Sequence, residues 1–308
     1  MNERTNTTVI ASLCLVFFLG TTVVVGRSLD HLRPQGPAED VLYLDSPKLA
    51  KRASLGYDGL MACLYWTRAV QYFGHRHHEH APTFNQLAPL LEITTQLDPH
   101  MLVAYEFGAN FLAPAPPNGA GEPARAIQLI EYGIQHNPPD WHLYYNLGFI
   151  YYLDLKDYTK AAQAFAQGAQ VPDAHPFLKT MAAQMAQHAG EFSTARMLWT
   201  TTYDTSNDEL IRQSAFDHLR ALKVDEDVTH LQEAVTQFGE QTGRLPASMA
   251  ELLASMHVPG VPVDPENMPY RLDKTGRVLV ANPDDFPYLT RGLPPGYKPL
   301  PPYARAHQ

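Results

Sequence analysis

Three residue pairs with one common separation restrict what this 308-residue chain can fold into. Pro138 and Pro172, Ala161 and Ala195, and Phe165 and Trp199 each stand 34 residues apart. A period of that length holds one supersecondary unit, which is too small to hide its own apolar face, so successive units must stack. One full period reads WHLYYNLGFIYYLDLKDYTKAAQAFAQGAQVPDA from Trp141. Its apolar spacing predicts a first helix carrying Tyr144, Leu147, Gly148 and Tyr151 and a turn at Asp154 to Tyr158. A second helix then carries Ala161, Phe165, Gly168 and Ala169 until Pro172 stops it. Small residues at Gly148, Ala161, Gly168 and Ala195 let helix axes approach, and Tyr151, Phe165 and Trp199 fill the space between neighbouring pairs.

The pattern extends in both directions. Met101 to Leu112, with Tyr105, Phe107 and Gly108, reads as a first helix, and Ala124 to Pro139, with Ala126, Ile130 and Gly133, reads as its partner. The proline- and glycine-rich stretch Ala113 to Pro123 lengthens the turn between them. Tyr57 to Gly74 pairs with Phe84 to Pro99, which makes about four helix pairs up to Tyr203. These positions resemble the tetratricopeptide repeat, whose signature is an aromatic, Leu-Gly, Tyr, then Ala, Phe, Ala and Pro over 34 residues. The period from Trp141 matches nearly all of it, with one extra residue in the turn and Gly168 where alanine is usual. The resemblance implies an all-α fold, an α-solenoid of antiparallel helix pairs. In that family the first helices line a concave groove that binds extended peptides or helices of other proteins. By position the groove candidates are Asn110, His142, Tyr145 and Asn146. Rings give rigid contact area and side-chain amides can bond a partner's backbone.

Residues 7–26 read TTVIASLCLVFFLGTTVVVG, uncharged throughout, and as a helix would span about 30 Å, the thickness of a bilayer core. A cleaved signal peptide is the other reading. The run is long for that, has only Arg4 before it, and lacks a small-x-small site at its end, so we expect an uncleaved transmembrane anchor in contact with the lipid bilayer. Leu13 before Cys14 does not suit lipidation. A short tail (1–6) followed by one apolar span suggests a signal anchor in a bacterial inner membrane, with the body in the periplasm. Residues 27–56 read as a stalk, 57–207 as the repeats, 208–242 as two capping helices, 243–285 as a different piece, and 286–308 as a proline-rich tail suited to polyproline II.

The different piece carries Gly243, Pro246, Ser248, Glu251 and Leu252, then Pro262, Asp264, Pro265 and Tyr270. These resemble a C-terminal signature of the major pseudopilins of type II secretion, in which a helix leads into a proline-locked turn and hairpin. Met249 replaces the usual leucine, Asn267 stands near the usual glycine, and no prepilin cleavage motif is present. The likeness covers about 40 residues and implies a shared local fold, with a hairpin around Lys274-Thr275-Gly276.

Composition removes several function classes. A formal charge of -9 without a local basic patch argues against nucleic acid. Two cysteines, Cys14 and Cys63, exclude a disulfide framework, a CxxC redox site and a cysteine zinc site. No nucleophile elbow, P-loop or dinucleotide fingerprint occurs, so neither catalytic residues nor a cofactor are expected. The densest set of possible metal ligands, His75, His77, His78 and His80 with Glu79, has no zinc-ligand spacing and reads as a solvated loop after a helix ending at Gly74. Asp225, Glu226 and Asp227 read as acidic residues at a helix start, and Asp264 as a turn brace. The function predicted is a membrane-anchored scaffold that binds protein partners. An accessory component of a type II secretion or type IV filament system is the alternative, and a metal-dependent enzyme comes third.

Overall fold

The computed structural model describes Leu13, residues 15–25, 46–256 and 260–298. Among the described residues the fold is all-α with one small hairpin. Its helices are α1 (Pro47–Ala53), α2 (Asp58–His78), α3 (Leu87–Leu97), α4 (Leu102–Leu112), α5 (Pro123–His136), α6 (Trp141–Phe149), α7 (Tyr158–Gly168), α8 (Phe177–Ala189), α9 (Phe192–Thr205), α10 (Glu209–Thr242) and α11 (Met249–Met256). Each helix from α2 to α10 packs on the next one in sequence, and α4 also packs on α6 and α3 on α5. Strands β1 (Arg271–Leu272) and β2 (Val278–Leu279) pair antiparallel, Arg271 opposite Leu279.

Residues 15–25 of the anchor expected over 7–26 are helical, and among the described residues no helix is long and apolar enough to cross a membrane. The rest of that segment, apart from Leu13, lies outside the described residues. So do the tail at 1–6, stalk residues 27–45 and residues 299–308 of the proline-rich end. The stalk expectation fails at its C-terminal part, because Pro47 opens α1 and Ala50, fully buried, joins the core formed with Ala62, Tyr65 and Leu90.

Glycines in the repeat make close helix crossings. A Cβ added to Gly148 would stand 2.5 Å from the Phe165 ring, and one added to Gly168 would stand 2.5 Å from Leu178 and 2.7 Å from Tyr144. Ala161, Phe165, Ala195 and Trp199 are buried in one cluster with Met181 and Leu222, and Tyr151 lies half-buried against it. Helix α6 ends in a π-helical turn, Ile150–Asp154, directly before the turn expected at Asp154 to Tyr158. Asp157 then accepts a bond from the Lys160 N–H and starts α7.

The two capping helices expected over 208–242 are one helix of 34 residues. No glycine or proline interrupts the stretch from Glu209 to Phe238, and Gly243, with φ of 73°, provides the left-handed stop. The first part of α10, with Ala215 and Leu222, belongs to the core of α7 to α9. Its later part, with Val228, Leu231, Val235 and Phe238, holds α11, Tyr270, Val278 and Phe286. One helix therefore carries two cores.

The pseudopilin-like residues serve local structure. Ser248 Oγ accepts from the Glu251 N–H at 3.2 Å, while Glu251 accepts from the Ala247 N–H at 2.6 Å and from Arg244 at 2.5 Å, which closes the start of α11 much as a capping box does. Asp264 accepts from the N–H groups of Glu266 and Met268, as a turn brace does. The Tyr270 hydroxyl donates to Asp227 at 3.0 Å.

Candidate functional site

Four helices, α2, α4, α6 and α8, meet one another in sequence along one row of side chains. Trp66 of α2 lies 6.3 Å from Phe107 of α4, ring centre to ring centre, and Phe73 stacks on Phe111 at 4.0 Å. From α4 to α6, a carboxylate oxygen of Glu106, one of Asp140 and a ring nitrogen of His142 all lie within 4.8 Å of one another. From α6 to α8, Tyr145 lies 6.4 Å from Phe177. Phe107 and Phe177 remain 49% and 41% exposed, large apolar area that the fold leaves uncovered.

Local chemistry explains how α6 presents its end of the row. Asp140 stands at the N-cap, where its carboxylate accepts from the His142 N–H at 2.9 Å. The same oxygen lies 2.8 Å from His142 Nδ1, and the imidazole stacks on Trp141 at 3.7 Å. Asn110 and Asn146 each donate to a carbonyl one turn back on their own helix, Glu106 and His142 respectively. The structure thus brings His142 to Glu106, four residues before Asn110, and brings Tyr145 to Phe177. Phe107, Glu106, Asp140 and Phe177 are row residues that the sequence reading missed. Asp140 was legible as the acidic residue directly before a helix; Glu106 had no signal apart from lying one turn before Asn110.

The histidine cluster corrects an expectation. Gly74 does not end α2, which runs on to His78, so His75, His77 and His78 are helical and not in a loop. His75 Nε2 stands 3.3 Å from Glu79, His77 stacks on Phe73, and His77 Nδ1 lies 2.7 Å from the Pro117 carbonyl. The helix continues because its last turn has bonds to make: the Arg76 guanidinium donates to the Thr83 carbonyl and hydroxyl.

Asp225 corrects another. Instead of starting a helix it sits fully buried in the middle of α10, where it accepts from Gln187 Nε2 at 2.8 Å, Thr290 Oγ1 at 2.7 Å, and the N–H groups of Thr290 and Arg291 at 3.0 and 2.8 Å. Burial raises its pKa despite those bonds. Nearby, the His218 ring is sandwiched between Trp199 at 3.8 Å and Tyr288 at 3.6 Å, and burial pushes its pKa down to about 3. These groups clamp the C-terminal segment onto α10.

Two clefts flank the row. One of about 730 Å³ is lined by Phe177, Trp199, Leu210 and Ile211, and one of about 580 Å³ by His100, His136, Asp140, His142 and Asp173. No protein-family model matches the chain, and comparison with curated proteins and with solved structures finds no match.

Proposed function

We propose that this chain is a membrane-tethered scaffold of tetratricopeptide-like repeats that binds protein partners through the row formed by α2, α4, α6 and α8. The observation that carries the reading is the contact of alternate helices: Trp66 with Phe107, Glu106 with His142, and Tyr145 with Phe177. The intervening helices have a matching contact, an ion pair of 2.6 Å between Glu92 of α3 and Arg125 of α5. Two rows of alternating helices are what a stack of antiparallel pairs produces, and they support a solenoid with first helices on one side. Asn110, His142, Tyr145 and Asn146 then belong to the binding face, together with Phe107 and Phe177. Exposed rings flanked by amide and carboxylate groups suit an extended peptide or helix.

The tether is the uncharged run 7–26, with the body on the periplasmic side of a bacterial inner membrane. The secretion or filament reading has only the C-terminal resemblance behind it, and the matching residues Ser248, Glu251, Asp264 and Tyr270 all have local structural partners.

A photoreactive amino acid placed singly at Phe107, Tyr145 or Phe177 of the full chain in its membrane tests the binding face, with exposed Glu131 of α5 as the control position. The same crosslinked partner from the three row positions and none from Glu131 is the expected result; capture at Glu131 alone, or at all four alike, overturns it. A reporter enzyme that works only outside the cytoplasm, fused after Gln308, should be active. An inactive but intact fusion reverses the orientation.

A further inference from the structure

We propose that Glu106, Asp140 and His142 form a binding site for a divalent first-row transition metal, with Zn²⁺ as the representative ion and at least one coordination position open to an outside ligand. Zinc holds carboxylate oxygen and imidazole nitrogen at about 2.0 to 2.2 Å, so two ligand atoms on one ion lie no more than about 4.4 Å apart. In the structure one atom from each of the three residues already lies within 4.8 Å of the other two. A small rotamer adjustment gathers them around a shared centre.

Each ligand is held by a rigid element. Glu106 projects from the middle of α4. Asp140 is fixed by its cap bond to the His142 N–H, and the His142 ring is fixed by stacking on Trp141. Two carboxylates meet here, and among the described residues their one ion-pair contact is that of Asp140 with His142. A cation would complete the charge balance. It would bind His142 at Nδ1, in place of the contact with Asp140, or at Nε2 while Asp140 orients the ring.

The donor set selects the metal class. Magnesium and calcium call for oxygen ligands throughout, whereas one imidazole with two carboxylates suits zinc, manganese, iron, cobalt or nickel. The cleft lined by His100, His136, Asp140 and His142 offers a path from solvent. Three protein ligands leave an open position, as in other zinc sites with an exchangeable ligand. The site lies on the row proposed to bind partners, but it stands or falls independently of partner binding.

The test is calorimetric titration of the metal-free full chain in detergent with Zn²⁺, followed by Co²⁺ absorption spectroscopy to report nitrogen and oxygen ligation. Wild type should bind one equivalent that excess Mg²⁺ does not displace. Glu106→Gln and His142→Gln should each weaken that equivalent at least tenfold with the helical circular dichroism unchanged. A His77→Gln/His78→Gln variant, which takes two of the four histidines from the competing cluster at the end of α2, should retain it. Wild type without this equivalent, unaltered binding in Glu106→Gln, or loss of the equivalent only in the His77/His78 variant would each overturn the proposal.

Discussion

The same substitution at two helical glycines should have opposite effects on stability. Gly74 lies in α2 and an added Cβ would meet nothing within 4 Å; Gly148 lies in α6 and an added Cβ would stand 2.5 Å from Phe165 Cε1 and 2.7 Å from Cδ1 and Cζ. Replacing a helix-interior glycine by alanine stabilises a helix by roughly 0.5 to 1 kcal/mol, because glycine loses the most backbone freedom on folding. At Gly74 that is the whole effect, and Gly74→Ala should raise the melting temperature by about 1 to 2 °C. At Gly148 the new methyl requires the ring to retreat by about 1 Å to reach ordinary carbon contact. Phe165 is fully buried and edge-on to Phe149 at 5.3 Å, so it has no free space to move into. Overpacking of this kind costs about 1 to 3 kcal/mol, which outweighs the propensity gain and leaves Gly148→Ala about 1 kcal/mol less stable than wild type. Urea unfolding of the full chain, followed by circular dichroism, measures both changes. A cycle with Phe165→Leu supplies the mechanism: once the ring is gone, Gly148→Ala should stop being harmful, a coupling of about 0.5 to 3 kcal/mol. The reasoning is refuted if Gly148→Ala stabilises as much as Gly74→Ala, or if Phe165→Leu costs the same in both backgrounds.

Asp225→Ala leaves the donors of Gln187, Thr290 and Arg291 without their buried acceptor and should cost about 1 to 3 kcal/mol. Hydrogen exchange should show the amides of Thr290 and Arg291 losing protection while those of α3 keep theirs, and unchanged protection at those two amides would contradict the clamp. His218, held neutral by burial with a pKa of about 3, should make stability fall with acid. Its contribution is complete above the unfolded value of about 6.5 and declines as pH drops toward 3, by up to about 1.4 kcal/mol per pH unit. His188, also lowered by burial, acts in the same direction; Asp225, raised by burial, acts in the opposite one, its contribution decreasing as pH rises above the ordinary carboxylate range. His218→Phe keeps a ring in the stack, and urea midpoints at about pH 4.5 and 7 should then differ less than in wild type. Equal differences in the two proteins would remove His218 as the cause.

Particular residues show how far local pattern carried. The helices around Trp141, Phe165 and Trp199 were readable because apolar spacing and proline stops act over a few residues. The span from Glu209 to Thr242 was misjudged because the acidic run Asp225 to Asp227 looks like a helix start. Its true environment is created by Gln187, Thr290 and Arg291, which are distant in sequence. Gly74 was misread for a related reason, since bonds from Arg76 to Thr83 hold the helix past it.

The row proposed to bind partners divides along the same line. Asn110, His142, Tyr145 and Asn146 follow from position within a repeat, while the meeting of Glu106 with His142, and of Tyr145 with Phe177, depends on how α4, α6 and α8 are stacked. By itself the sequence determined where helices form and that they must pile against each other, because periodicity and stop signals are properties of a short window and a lone pair cannot bury its apolar face. Only the tertiary structure decided which carboxylates are buried, which share one site and which rings stay uncovered. Burial and charge pairing belong to the neighbours a side chain acquires in space, and no window of sequence contains them.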